Sequence, residues 1–183
     1  MLKDNPVVYL TKKTWEYSKG NRKAVTWFFV MFVFANSLSL IEPLIIAKIL
    51  NIIQEQGING GNLLSIVLYL LIFVALTIGF WAFHGPARVM EETNGFLVRA
   101  NYKKYLLEGV MDLRPEWHGE HHSGDTIDKI EKASNSLFRY STEVSDIIET
   151  AILFFGSYIA LMIFDFHASY IVLFTVMITV TLI

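Results

Sequence analysis

The residues of this sequence that are best suited to chemistry lie in one short polar stretch, residues 112–125, DLRPEWHGEHHSGD. His118, His121 and His122 follow one another at helical spacing, so at least two of the imidazoles would share a helix face. Together with the carboxylate of Asp125, they form a set of a type that binds zinc. The glycines between them make a rigid cage unfavourable. We therefore predict no structural metal, and a His-based metal site is the alternative.

The same stretch is rich in turn chemistry. Arg114-Pro115 should end an incoming helix, because a residue that precedes proline is pushed towards extended backbone. Trp117 is an anchor of the kind that dominates protein interfaces, and we expect no apolar surface within the chain to bury it. Residues 123–126, SGDT, turn the chain and supply an N-cap for the next helix. The candidate docking residues are Arg114, Pro115, Trp117, His118, His121, His122, Ser123, Gly124 and Asp125.

Composition and motifs exclude several classes of function. The 183 residues contain no phosphate loop, no Gly-x-Ser-x-Gly and no His-Glu-x-x-His, so they carry no motif for hydrolysing ATP. Cysteine is absent, which excludes disulfides and thiolate metal sites. The formal net charge of −2 offers no basic surface for nucleic acid.

Long apolar blocks flank the polar stretch. Hydrophobic residues make up 54% of the chain, and the mean hydropathy is +0.45. Their concentration in blocks predicts an all-α polytopic membrane bundle of three complete spans and a truncated fourth, and we expect the natural chain to continue past Ile183. The predicted segments are an amphipathic surface helix (1–23), span 1 (24–53), span 2 with an extension (63–114), the polar turn (115–124), span 3 (125–164) and the start of span 4 (168–183).

The first apolar block contains polar residues that need a partner in lipid. Pro43 predicts a kink, because it lacks the N–H of the helix ladder. Glu42 should face the bundle interior, with Asn36 and Ser39 on roughly the same side. These three residues are the candidate substrate pathway. The alternative is that they form interhelical hydrogen bonds around the kink.

The basic residues predict the orientation. Fourteen of the 15 Lys and Arg residues lie in residues 1–23 and 84–146. The positive-inside rule then places both segments in the cytosol and the protein in the plasma (inner) membrane. His84-Gly85-Pro86 marks the inner boundary of span 2, where we expect a bend rather than a helix end.

Both sides of the turn continue as helical patterns into the cytosol. As helices, residues 84–114 and 125–146 would reach about 45 Å and about 33 Å, so the turn would lie roughly 30 Å below the membrane. The outgoing helix has a heptad seam with small polar residues at two of its positions. The seam consists of Ile127, Ile130, Ser134, Leu137, Ser141, Val144 and Ile148.

Residues 113–118 (LRPEWH) and 121–127 (HHSGDTI), followed by Ile130 and Ala133, resemble the first intracellular loop of exporter-type ABC transporters, which have the type IV transmembrane fold. In that family, spans 2 and 3 extend into the cytosol, and a short coupling helix between them contacts the nucleotide-binding domain. The family's small-Gly-Asp element is here residues 123–125, SGD. Pro43 and the N-terminal surface helix also fit the resemblance, which covers essentially the whole chain.

The resemblance implies ATP-driven export by a dimer of such domains. The implied partners are a nucleotide-binding domain on the same or a partner chain, a second transmembrane domain as homo- or heterodimer, and the lipid bilayer. ATP and Mg would bind to the nucleotide-binding domain, with no cofactor in residues 1–183. The chain departs from the family in length, because the second coupling loop, the last two spans and all ATP-binding motifs are missing.

Two other classes of function remain as alternatives. One is a secondary metal-ion transporter with a His-bearing cytosolic loop, which would need a cluster of intramembrane carboxylates. Only Glu42 and the membrane-edge Glu149 are candidates for such a cluster. The other is a helical membrane scaffold that transports nothing.

Because the chain has no cysteine, one introduced thiol can report the topology of the membrane-bound protein. In intact cells, Ile58→Cys should react with an impermeant thiol reagent added outside. Gly119→Cys should react only after the cells are permeabilised. The opposite labelling pattern would contradict the predicted orientation.

Overall fold

The computed structural model describes residues 5–182, and it is helical throughout. No strand occurs within these residues, which confirms the predicted all-α class. Lys3 of the basic N-terminal segment and Ile183 of the last apolar block lie outside the described residues. The helices are α1 Pro6–Tyr17, α2 Arg22–Ser39, α3 Glu42–Gln56, α4 Leu63–Met111, α5 Pro115–Glu120, α6 Ser123–Phe164 and α7 Phe166–Leu182.

Three helical stretches are long and apolar enough to cross a membrane, namely Arg22–Gln56, Leu63–Met111 and Ser123–Phe164. The shorter α7, Phe166–Leu182, is also apolar. By length and composition the chain is therefore compatible with a membrane protein, as the apolar blocks predict.

The first apolar stretch, Arg22–Gln56, is interrupted at Leu40-Ile41, directly before the position where Pro43 predicts a kink. α2 ends at Ser39, and α3 begins at Glu42. Pro43 lies in the first turn of α3, where its missing N–H breaks no helical hydrogen bond. The amide of Leu44 instead bonds the carbonyl of Ile41 over 3.1 Å. Pro43 thus lies in the first turn after the interruption of this stretch.

Pro86 has a different setting, because α4 continues on both sides of it from Leu63 to Met111. The prediction that the helix does not end at His84-Gly85-Pro86 is confirmed.

The chain divides into two compact units. The first comprises α1, α2 as far as Phe32, and Phe83–Asp146, while the second comprises Val33–Ala82 and the chain from Ile147 onward. The core of the first unit has two apolar clusters. One consists of Val25, Phe28, Phe32 and Ala87, and the other of Tyr17, Val98 and Leu137.

In the second unit, leucine side chains pack closely against two helical glycines. The side chain of Leu38 lies 3.3 Å from the position that a Cβ of Gly79 would occupy. Gly156 is approached even more closely by the side chain of Leu40. The glycines therefore let neighbouring helices approach, as small residues do in membrane bundles.

In the first unit, α4 and α6 pair antiparallel. Arg88 contacts Asp146 at 2.7 Å, and the Phe96 ring lies 5.1 Å from the ring of Phe138. Farther along α4, Lys103 forms an ion pair with Glu131, which lies nearer the start of α6. Successive contacts thus involve later residues of α4 and earlier residues of α6, as expected for two antiparallel helices.

The predicted seam of α6 is confirmed over its central part and shifts at its ends. Ile130, Ser134, Leu137 and Ser141 are buried. Ile127, by contrast, is 53% exposed. Ser145 is buried and Val144 only half-buried, so one position of the seam moves by one residue.

α4 approaches α6 closely at Gly95. A Cβ there would lie 2.5 Å from the Cγ2 methyl of Thr142 and 3.1 Å from the Phe138 ring. Thr142 cannot turn away freely, because its hydroxyl bonds the Phe138 carbonyl at 3.2 Å.

We expect Gly95→Ala to destabilise the first unit, because overpacking a tight contact costs about 1–3 kcal/mol. Gly109→Ala, on the same helix α4, is the matched control. A Cβ at Gly109 would meet no neighbouring atom within 4 Å. The free energy of unfolding of this control should rise by about 1 kcal/mol, because alanine has a higher helix propensity than glycine. Thermal unfolding of the two purified variants measures the difference, and equal midpoints would show that α4 and α6 are not in close contact.

Candidate functional site

The turn predicted at residues 115–124 is built around the short helix α5. Arg114 is its N-cap in extended conformation, with ψ of 150°, as expected for a residue before proline. Pro115 occupies the first turn, and the Trp117 amide bonds the Arg114 carbonyl over 3.0 Å. α4 thus ends at Met111, and a new helix starts at proline.

The side chain of Trp117 packs against His118 and His121. Its ring stacks on His121 with centroids 4.2 Å apart and planes 12° apart, and His118 meets it edge-on at 5.3 Å. The His121 Nδ1 atom also lies 2.9 Å from the Trp117 carbonyl oxygen, within hydrogen-bonding distance. The expectation that no apolar surface within the chain buries Trp117 is therefore wrong in part, since the side chain is half-buried and lines a groove with Leu107 and Val110.

An apolar groove lies between α5 and the adjoining ends of α4 and α6. Its volume is about 440 Å³, and Trp117 forms part of its wall. Met111 is 76% exposed and Ile127 53% exposed, so large apolar groups remain uncovered at this polar end of the unit. Such a patch is typical of a binding surface. The apolar lining comprises Leu107, Val110, Met111, Trp117, Ile127 and Ile130, with His118, His121, His122, Ser123 and Thr126 among its polar residues.

α6 begins at Ser123, within the predicted small-Gly-Asp element. Asp125 lies in the first turn, where the helix dipole favours a carboxylate. Its carboxylate accepts a hydrogen bond of 2.7 Å from Lys129, and this bond lowers the pKa of Asp125. The Thr126 amide bonds the His122 carbonyl at 3.2 Å and opens the helical ladder. Asp125 therefore stabilises the start of α6 by its charge and by the ion pair with Lys129.

The imidazoles of His118, His121 and His122 form no cluster of metal-ligating side chains in the described residues. Within residues 5–182, no three side chains of His, Cys, Asp or Glu are grouped to hold a metal ion. Zinc content of the purified protein remains the direct measurement for the metal hypothesis.

The candidate pathway residues Asn36, Ser39 and Glu42 lie around the break between α2 and α3, in the second unit. Asn36 is buried, and the Ser39 hydroxyl donates to its backbone carbonyl at 2.9 Å. The Glu42 carboxylate accepts a hydrogen bond of 3.0 Å from the Thr77 hydroxyl of α4. The Glu42–Thr77 bond joins two helices, as the alternative to a polar pathway expects, whereas the Ser39 bond lies within α2. The substrate pathway stays a prediction.

Sequence reasoning missed a charged cluster in the first unit. Glu91 is completely buried, and its Oε2 lies 2.7 Å from Nη1 of Arg88. Nη2 of the same guanidinium contacts Asp146 of α6 at 2.7 Å. Burial raises the pKa of Glu91 to about 7, although Arg88 opposes this shift. We call Arg88, Glu91 and Asp146 the charge clamp, because one guanidinium holds both helices.

A signal for the clamp was present in the sequence. Ala87, Glu91, Asn94 and Val98 are separated by helical steps of four, three and four residues, and all are buried. An acid on a seam of this kind needs a basic partner, and Arg88 lies one turn earlier in α4.

α1 is docked on the same unit through polar contacts. The Asn94 amide donates to the Ser18 hydroxyl at 3.1 Å, and the Asn101 amide donates to the Tyr17 carbonyl at 2.8 Å. The predicted helix near the N-terminus is confirmed for Pro6–Tyr17. One side of it packs against protein, while its position at a membrane surface stays a prediction.

Comparisons with protein-family models, curated protein sequences and solved structures gave no match. A functional assignment therefore depends on the resemblance of residues 113–127 and on the geometry of α5 and its groove.

The charge clamp predicts a pH dependence of stability. Because the native pKa of Glu91 exceeds its ordinary value of 4.5, the native state binds more protons than the unfolded chain up to about pH 7. Stability should fall as pH rises from 4.5 to about 7, by about 3–4 kcal/mol at most, since each pKa unit corresponds to about 1.4 kcal/mol. The other charged groups that act on Glu91 are Arg88, Asp146 and Glu92.

Glu91→Gln should flatten this dependence in thermal unfolding measured across that range. The control Glu108→Gln removes the same charge from α4 at a position that is 65% exposed, and it should leave the slope of the parent protein. Parallel slopes for the parent and Glu91→Gln would mean that Glu91 is not buried as an acid.

Proposed function

We propose that this chain is the N-terminal part of the transmembrane domain of an ATP-driven ABC exporter. The observation that carries the proposal is α5, a six-residue helix that joins two long helices and presents an apolar groove. The resemblance of the residues that build α5 and the start of α6 supports it. In this assignment the chain forms part of the substrate pathway, and α5 is the first coupling helix.

The proposed topology follows from the distribution of basic residues. α1 and residues 84–146 lie on the cytosolic side of the plasma (inner) membrane, and the apolar helices cross it. A nucleotide-binding domain, on this or a partner chain, covers the groove and binds ATP and Mg. A second transmembrane domain, identical or not, completes the pathway.

The first unit has the properties that force transmission requires. The charge clamp, the Gly95 contact and the pairs of Glu131 with Arg99 and Lys103 join α4 to α6 along their length. Helices packed in this way move as a body between discrete arrangements, and a displacement of α5 is passed on to both.

Trp117 has a specific role in this mechanism. The Trp117 ring stacks on His121, and the His121 Nδ1 atom lies within hydrogen-bonding distance of the Trp117 carbonyl oxygen. Both contacts reduce the conformational freedom of Trp117 before the partner binds. An ordered aromatic anchor loses less conformational entropy on docking than a mobile one. Loss of such an anchor typically costs about 2 kcal/mol or more of binding.

In the protein expressed from its natural gene, Trp117→Ala should leave membrane insertion and ATP binding near normal. Transport should fall about tenfold or more, and substrate should no longer stimulate ATP hydrolysis, because the docking contact is weakened. His121→Ala, which removes only the stacking partner, should give the same defect more weakly. Trp27→Ala is the matched control, since Trp27 is 60% exposed on α2, remote in sequence from α5.

Substrate-stimulated hydrolysis measured beside basal hydrolysis separates loss of coupling from loss of fold. If Trp117→Ala transports like the parent protein, α5 is not a coupling element. Absence of any ATPase in the complex containing this chain would contradict the proposed function as a whole.

A further inference from the structure

The outward side of α1 is both basic and aromatic. Val8, Lys12 and Trp15 follow one another at helical spacing and are all exposed, Trp15 by 46%. Tyr17, on the docked side, is buried against Val98 of α4. An apolar and cationic surface facing away from the protein core fits an interface with anionic and apolar parts.

Arg22, at the start of α2, is held beside this surface. Its guanidinium carbon lies 5.1 Å from the centre of the Trp15 ring, and its Nε donates to the Trp15 carbonyl at 3.3 Å. Within residues 5–182, its two terminal nitrogens make no hydrogen bond. An arginine held in this way presents a planar fork of donors that matches a phosphate group.

Within residues 5–182, the positive charge around Arg22 is only partly balanced, by Glu16, which also interacts electrostatically with Lys12 and Lys19. Among the described residues, Lys12, Lys19, Arg22 and Lys23 have no ion pair with an acid, whereas Glu16 is bonded by Lys13 at 3.0 Å. The first turn of α2 contains no acidic residue. Four exposed cations thus lie within twelve residues of sequence, and they complement an anion from outside the chain.

We propose that the exposed surface formed by Lys12, Trp15, Lys19, Arg22 and Lys23 binds the phosphate of an anionic phospholipid. A lipid is favoured over a soluble phosphate because α2 continues directly into exposed apolar groups, with Trp27 60% and Val30 50% exposed. Tryptophan prefers the headgroup level, and basic clusters next to a membrane helix attract anionic lipids. The proposal depends on the membrane placement of the chain and not on transport.

The test uses the purified full chain in neutral detergent with equal amounts of phosphatidylglycerol and phosphatidylcholine. Native mass spectrometry should show preferential retention of phosphatidylglycerol. Arg22→Gln with Lys23→Gln should lower that retention about tenfold or more, since each basic group near an anionic surface contributes separately. Lys104→Gln with Lys132→Gln is the matched control, because these lysines are 74% and 75% exposed and lie elsewhere in the first unit.

Trp15→Leu removes the ring beside Arg22 without changing the charge and should lower retention by a smaller factor. Inorganic phosphate in excess should not displace the lipid. Equal retention of the two lipids by the parent protein would overturn the proposal, as would equal losses in the test and control pairs. Displacement by inorganic phosphate would identify a free-anion site instead.

Discussion

The close antiparallel contact between α4 and α6 is the constraint on which the first unit depends. Gly95 permits it, because even a methyl group at that position would overlap Thr142. The charge clamp ties the helices near Asp146, and the ion pairs of Glu131 tie them nearer α5. With α4 and α6 held in register, the short chain between them places α5 next to their ends, where the three helices share one groove.

The charge clamp adds specificity at a cost in stability. A buried carboxylate loses its hydration, and a single guanidinium shared with Asp146 recovers only part of that free energy. Breaking the pair would leave Glu91 buried without its partner, which makes other registers of α4 on α6 unfavourable. We infer that the clamp fixes which residues of the two helices meet, while apolar packing supplies most of the stability.

Much of the fold could be predicted, because it follows from short-range patterns. Apolar blocks give the long helices, and the seam from Ile130 to Ser141 follows from helical spacing. The break before Glu42 could not be distinguished from a kink, since Pro43 fits both a first turn and a bend. Burial of Glu91 and stacking of Trp117 on His121 depend on three-dimensional neighbours that spacing indicates only weakly.

The central claim is that a nucleotide-binding domain covers α5 and its groove, and a site-specific photo-crosslink tests it most directly. The photoreactive residue p-benzoylphenylalanine would replace His118, which is exposed beside Trp117, with Arg139 on α6 as the control position. Peptide sequencing of the product should identify a protein segment belonging to a domain with a phosphate loop, and only from the first position. Crosslinks to lipid alone, or to the same peptides from both positions, would contradict the account.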